Sequence, residues 1–206
     1  MFNAVSKAIA IPIFVMIRPR HGDFLYSEYE FSVMKEDVLC FKDKADGFVF
    51  GILMEDGSVD VDRTRELISL VQPKPVTFHR AFDMTSNFTL ALESAIECGF
   101  TRVLTSGGEA TAIRGKRVIA SLVEQAKEQI IVMPGGGINK DNVADLLKDT
   151  RASEFHCSGK VAVPSKMRFR NPNVAMGTTS DNSEYTLTFS DKTTLQAILT
   201  SANSRL

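Results

Sequence analysis

The chain has 206 residues, 24 basic and 25 acidic side chains, a formal net charge of −1 and 44% hydrophobic residues. This predicts one domain over residues 1–206 with a substantial core, and it excludes the overall basicity of a nucleic-acid or membrane-surface binder. Cys40, Cys98 and Cys157 lie far apart without CxxC spacing, which points to reduced thiols in the cytosol and away from a disulfide framework.

Read from the N-terminus, Met1 to Ile17 is apolar, but Pro12 interrupts it and Arg18 and Arg20 follow. It is too short for a membrane span and lacks a small-residue cleavage site. The first strand-like run is Phe14–Arg18, and Phe31, Met34, Val38 and Phe41 then mark a helical stripe. Further runs are Phe48–Leu53, Val76–Phe82, Arg102–Ser106, Ile130–Met133 and Glu154–Ser158. Between them lie stripes at Leu67/Ile68/Val71, Ala91/Leu92/Ala95/Ile96 (ended by Gly99), Val118/Ile119/Leu122/Val123/Ala126 and Val143/Leu146/Leu147. Mostly continuous apolar runs are expected for parallel strands covered on both faces, and strand–helix alternation predicts βαβ units. The six runs are therefore expected to form one parallel sheet in sequence order. Residues 161–184 read as polar and irregular, with a turn at Asn171-Pro172-Asn173. Tyr185–Phe189 alternates like a strand, and Asp191 is placed to cap a last helix carrying Leu195, Ile198 and Leu199.

Such units can build an open doubly wound sheet or part of an eight-unit barrel. The strand ends favour the barrel, because Arg18, His79, Arg80, Thr105, Ser106 and His156 stand where its mouth would lie. The segment Ile131-Val132-Met133-Pro134-Gly135-Gly136-Gly137-Ile138-Asn139 reads as a strand, a tight turn and a helix capped by Asn139. Gly135, Gly136 and Gly137 are candidates for an anion cradle, to which Ser158, Gly159 and Lys160 of the next unit would contribute. The alternative is a tight turn without a ligand. His79 is a candidate acid–base group near neutral pH, against a buried structural histidine with Arg80 and Asp83 as an ion pair. Arg18 and Arg20, flanking Pro19, are candidates to hold a carboxylate or phosphate. Strand alternation places Glu154, His156 and Ser158 on one face and Phe155 and Cys157 on the other, so His156 and Cys157 are not expected to share a metal. Glu154 is a second candidate for proton transfer. Cys157 is the one candidate metal ligand, soft enough for Cu(I), and is otherwise a small buried hydrophobe.

Several motifs together make the chain resemble the CutC copper-homeostasis family. They are Phe14-Val-Met-Ile-Arg-Pro-Arg-His-Gly-Asp-Phe-Leu-Tyr26, Pro75-Val-Thr-Phe-His-Arg-Ala-Phe-Asp83, Arg102-Val-Leu-Thr-Ser-Gly107, Val132-Met-Pro-Gly-Gly-Gly-Ile138, Glu154-Phe-His-Cys-Ser158, Met167-Arg-Phe-Arg-Asn171 and Val174-Ala-Met-Gly177. The resemblance implies a TIM-type β/α barrel, a cytoplasmic setting compatible with nuclear presence, and self-association. It implies a role in copper handling without an established reaction. It also implies two further βα units ahead of Phe14, so about six of eight units are expected here, with an open edge at Phe14–Ile17. Three functions are weighed: a cytosolic copper-homeostasis protein binding Cu(I), a barrel enzyme for a small phosphorylated or anionic substrate, and an interaction module. The C-terminal Ser204-Arg205-Leu206 is close to the peroxisomal S-K-L tripeptide, and a chance ending is the favoured reading.

Overall fold

The computed structural model describes residues 1–171, 173–174 and 184–204. After a short helix α1 (Phe2–Val5), the elements run β1 (Phe14–Met16), α2 (Glu28–Phe41), β2 (Gly47–Phe50), α3 (Val61–Val71), β3 (Val76–Phe78), α4 (Phe88–Cys98), β4 (Arg102–Thr105), α5 (Lys116–Ala126), β5 (Ile131–Pro134), α6 (Val143–Thr150), β6 (Lys160–Pro164), β7 (Thr186–Ser190) and α7 (Lys192–Asn203). β1 to β5 form one sheet in sequence order, with every neighbouring pair parallel. This order follows from the alternation of strand and helix along the chain.

The run Glu154–Ser158 departs from expectation. It makes a single parallel bridge, Gly135 to His156, with His156 N–H donating to Pro134 O at 2.8 Å. The ladder stops because the chain turns away at Gly159, whose φ is +53°. There it enters an antiparallel hairpin in which β6 pairs with β7 from Lys160–Ser190 to Pro164–Thr186. Residues 161–164, expected to be irregular, are therefore part of a strand, β6. The expected turn at Asn171-Pro172-Asn173 includes Pro172, and the motif Val174-Ala-Met-Gly177 includes 175–177; those residues lie outside the described ones, as do Arg205 and Leu206 of the C-terminal tripeptide.

The helices end where local chemistry dictates. Ser27 and Glu30 form a reciprocal capping box at α2, Asp60 caps α3 and Asn87 caps α4. Gly99 closes α4 at φ +93°, and Asp191 caps α7 as expected. The expected Asn139 cap is displaced: Asn139 Oδ1 accepts from Asp141 N, and α6 begins three residues later behind Asn142. Phe31, Met34 and Val38 of α2, Leu67, Ile68 and Val71 of α3 and Leu92 of α4 pack on Phe48, Phe50, Phe78 and Val103 of the sheet. Phe50, Phe78, Phe82 and Phe100 form a linked aromatic cluster, the Phe78 and Phe100 rings stacked at 4.9 Å. Among the described residues β1 pairs only with β2, and its Met16 is 60% exposed. Among the described residues, no helix is long and apolar enough to cross a membrane.

Candidate functional site

The carboxyl ends of β1, β3, β4 and β5 gather Arg18, His79, Arg80, Thr105, Ser106 and Gly136 at one end of the sheet. Asp83, in the 3-10 turn after β3, organises them. Its Oδ1 accepts from Thr105 Oγ1 at 2.5 Å, Ser106 N at 2.9 Å and Gly108 N at 3.1 Å. Its Oδ2 accepts from Arg80 Nε at 2.6 Å. The Ser106 hydroxyl accepts from Arg80 Nη2 at 2.6 Å and lies 2.5 Å from Glu109 O and 3.1 Å from Asp83 Oδ2, with one proton to give between them. The ion pair expected of Arg80 and Asp83 is thus present, with the carboxylate side chain only 6% exposed.

That network aims Arg80 at the glycine turn. A Cβ on Gly136 would stand 3.7 Å from Arg80 Nη1 and 3.4 Å from Ser106 Cβ. Gly136 and Gly137 both have positive φ, +104° and +72°. Their amide N–H groups donate to no acceptor among the described residues. Gly135 differs. Leu104 fills the space where its Cβ would be, at 2.5 Å, and its N–H donates to Thr105 O. Gly135 is therefore a packing glycine, while Gly136, Gly137 and Arg80 leave donors free.

The second half of the expected cradle does not converge. Gly159 is buried under Leu195 of α7, 2.5 Å from where a Cβ would lie. Ser158 O accepts from Ser190 Oγ, and Lys160 is exposed on β6. Ser158, Gly159 and Lys160 serve the junction with the hairpin and α7. Glu154 is also away from the mouth. It pairs with Arg102 at the first residue of β4, and the Arg102 guanidinium lies 5.2 Å from the Phe14 ring at the start of β1. That is the opposite end of the sheet, so Glu154 cannot share a reaction with His79.

His79 is buried at the mouth, and its Nδ1 accepts from Ala81 N at 3.2 Å. Burial, with the nearby Arg18 charge, pushes its pKa down to about 4. It is a neutral imidazole near pH 7, not the group titrating there that its position in sequence suggested. Arg20 is a tether: its guanidinium meets Glu30 at 2.5 Å and Asp23 at 2.8 Å and donates to Leu25 O. Arg18 is half-buried, donates to Gly22 O and lies over Phe24, with its ring 4.6 Å away.

Phe155 and Cys157 pack against the core while His156 and Ser158 are exposed, so the expected alternation holds. Burial raises the Cys157 thiol pKa. Cys98 is buried on α4, pushed up to about 11, and Cys40 is exposed on α2. Among the described residues no three His, Cys, Asp or Glu side chains group to hold a metal.

The CutC family profile matches residues 1–161. The chain is 48% identical over 199 residues to the copper homeostasis protein cutC homolog of Mus musculus, covering 96% of this chain and 73% of that protein. It is 44% identical over 197 residues to a family protein CutC of Parabacteroides distasonis, covering 94% and 81%.

The chain belongs to the CutC family.

The crystal structure of the putative copper homeostasis protein CutC from Streptococcus agalactiae superposes with a TM-score of 0.70 at 32% identity, covering 75% of this chain and 76% of that one. QR15, an aldolase, superposes with a TM-score of 0.58 at 17% identity over 75% of this chain and 71% of that one, and speaks for the fold alone. The CutC chain therefore has a TIM-type α/β fold. Sequence reasoning named Arg18, His79 and the glycine triplet at this mouth. Arg80 was also placed at the mouth, but Asp83 was legible only as its ion-pair partner and not as the group that gathers Thr105, Ser106 and Gly108.

Proposed function

We propose that this CutC-family chain serves copper homeostasis in the cytosol, with Cu(I) as cargo. The observation carrying this reading is the 48% identity, over nearly the whole chain, with proteins named copper homeostasis protein cutC homolog in mouse and human. Cys157 would supply one soft thiolate, and a second would come from another copy of the chain or a small thiol, because Cys40 lies on α2 and Cys98 on α4, whereas Cys157 lies in the segment between α6 and β6. Self-association is part of the proposal. Val161 pairs with Phe189 and Val163 with Leu187 across the hairpin, and Val163, Leu187 and Phe189 are 42%, 43% and 53% exposed. Such an apolar face on two strands favours a covering partner. The test is complementation: in cells lacking their own CutC protein, expression of this chain should restore copper content and tolerance. Unchanged copper content at matched expression would overturn the reading.

A second reading, a site for a small phosphorylated or other anionic ligand, is favoured by the free amides of Gly136 and Gly137 beside Arg80. Inorganic phosphate should then raise the melting temperature, by up to about 2–3 kcal/mol of stabilisation at 100 times its dissociation constant. Gly136→Val, which puts bulk against Arg80 and Ser106, should abolish the shift. Equal protection of both proteins would remove this site.

A further inference from the structure

Three buried polar atoms at the mouth have no hydrogen-bond partner among the described residues: Arg18 Nε, Tyr26 Oη and His79 Nε2. Arg18 and Tyr26 belong to the loop between β1 and α2, and His79 follows β3; Phe24 of that loop lies against both Arg18 and His79. The Arg18 guanidinium lies 4.6 Å from the centre of the Phe24 ring, and that ring lies 5.0 Å from the His79 imidazole. The Tyr26 hydroxyl stands beside Arg18, which opposes the upward shift that burial gives the phenol, yet it makes no hydrogen bond of acceptable geometry there. Both His79 and Tyr26 are more than nine-tenths buried, at 5% and 2% exposure.

Each of the three can donate, and the Tyr26 hydroxyl can accept as well. Ala81 N occupies His79 Nδ1, which places the proton of the neutral imidazole on Nε2. Arg18 Nε carries a hydrogen and no lone pair to offer, and the Tyr26 hydroxyl can donate. Each such group left buried without an acceptor costs stability, and native structures seldom tolerate three together. The surroundings hold them in place. Leu53 N donates to Phe24 O at 2.9 Å, and Arg63 Nη1 donates to Tyr26 O at 2.6 Å. Gly51 leaves room for the imidazole, because a Cβ there would lie 3.0 Å from His79 Nδ1 and 2.3 Å from the Phe78 ring. Asp23, the acidic group that acts on Tyr26, is already paired with Arg20. Solvent reaches the residues around the three atoms at Arg18 and Phe24, which are half-buried, while the atoms themselves lie out of its reach, so an anion enters by displacing the Arg18 or Phe24 side chain.

We infer that Arg18, Tyr26 and His79 form a binding site for a small oxyanion, a carboxylate or a phosphate group, that accepts hydrogen bonds from all three. This site is separate from the Gly136 turn, since Arg80 points to Ser106 while His79 contacts Phe24 and Gly51, and it does not depend on the reading of that turn.

The test follows the imidazole nitrogens of the full chain by 15N-edited NMR, with His79 identified by its loss in His79→Gln. Inorganic phosphate or acetate should shift the His79 signal saturably, and whichever anion saturates at the lower concentration names the class. Arg18→Gln should abolish the response. Tyr26→Phe should weaken it roughly three- to tenfold, as one lost hydrogen bond predicts. The same variant should raise the melting temperature of the ligand-free protein, because it deletes a buried hydroxyl with no partner. Gly136→Val should leave the His79 response intact. A His79 signal that neither anion moves, or the same affinity in Tyr26→Phe as in the parent, would overturn the inference.

Discussion

Arg102 donates from Nε and Nη2 to the two carboxylate oxygens of Glu154, at 2.8 and 3.0 Å. The fork joins the start of β4 to the segment that follows α6, and Phe14 lies against the same guanidinium. Glu154→Gln should therefore cost about 1–2 kcal/mol of stability in denaturant titration, allowing for partial solvent exposure of the pair. It should leave anion binding at the mouth unchanged. A variant of full stability that has lost anion binding would return Glu154 to the functional end.

Asp83 holds Arg80 and the loop from Thr105 to Gly108 together. Asp83→Ala leaves Thr105 Oγ1 and Ser106 N without their acceptor, so a loss of about 2–4 kcal/mol is expected, to which the partly exposed Arg80 charge adds little. Asp83→Asn keeps the shape and should lose less, while releasing Arg80 and weakening the phosphate-induced rise in melting temperature. Retention of that rise in Asp83→Asn would show that Arg80 needs no help to reach the glycine turn.

His79 gives the protein an acid-sensitive stability. Its folded pKa of about 4 lies below the ordinary 6.5, so between those values the unfolded chain binds a proton that the folded one refuses. Stability is therefore full above pH 6.5, falls as the pH drops from there towards 4, and levels off below. At about 1.4 kcal/mol per unit the ceiling is about 3 kcal/mol. Exposed His156 shifts in the same direction with less effect. Comparing chemical denaturation at pH 7 and pH 4.5, His79→Gln should show a smaller loss than the parent. Equal losses would mean that His79 is hydrated in solution.

The hairpin face predicts association. Phe189→Asp places a charge beside Val161 and should shift sedimentation towards the monomer without lowering the stability of the β1–β5 sheet. An unchanged assembly state would direct attention to the other exposed apolar segment, at the β1 edge.

Much of the fold was legible because the signals are local. Continuous apolar runs marked β1 to β5, and Asp191 and Gly99 marked helix ends through their own side chain or lack of one. Glu154–Ser158 reads as a sixth strand from its alternation, yet its pairing depends on where Gly159 turns, and Leu195, far along the chain, packs on that turn. Alternation correctly separated His156 from Cys157. It could not say that Glu154 stands at the other end of the sheet from His79, because distance along the strand axis depends on register with β5. Nor could sequence show that Tyr26 leaves its hydroxyl unpaired beside Arg18, since burial without a partner exists only once the chain is folded.

Cu(I) as cargo is tested most directly by an anaerobic competition titration with a chromophoric Cu(I) chelator. The parent chain should draw Cu(I) from the chelator. Cys157→Ser should weaken that affinity at least about tenfold, or roughly 1.4 kcal/mol. Cys98→Ser, which changes a thiol buried on α4, should leave the affinity near the parent value. Failure of the parent chain to compete, or equal affinity in Cys157→Ser, would contradict the account.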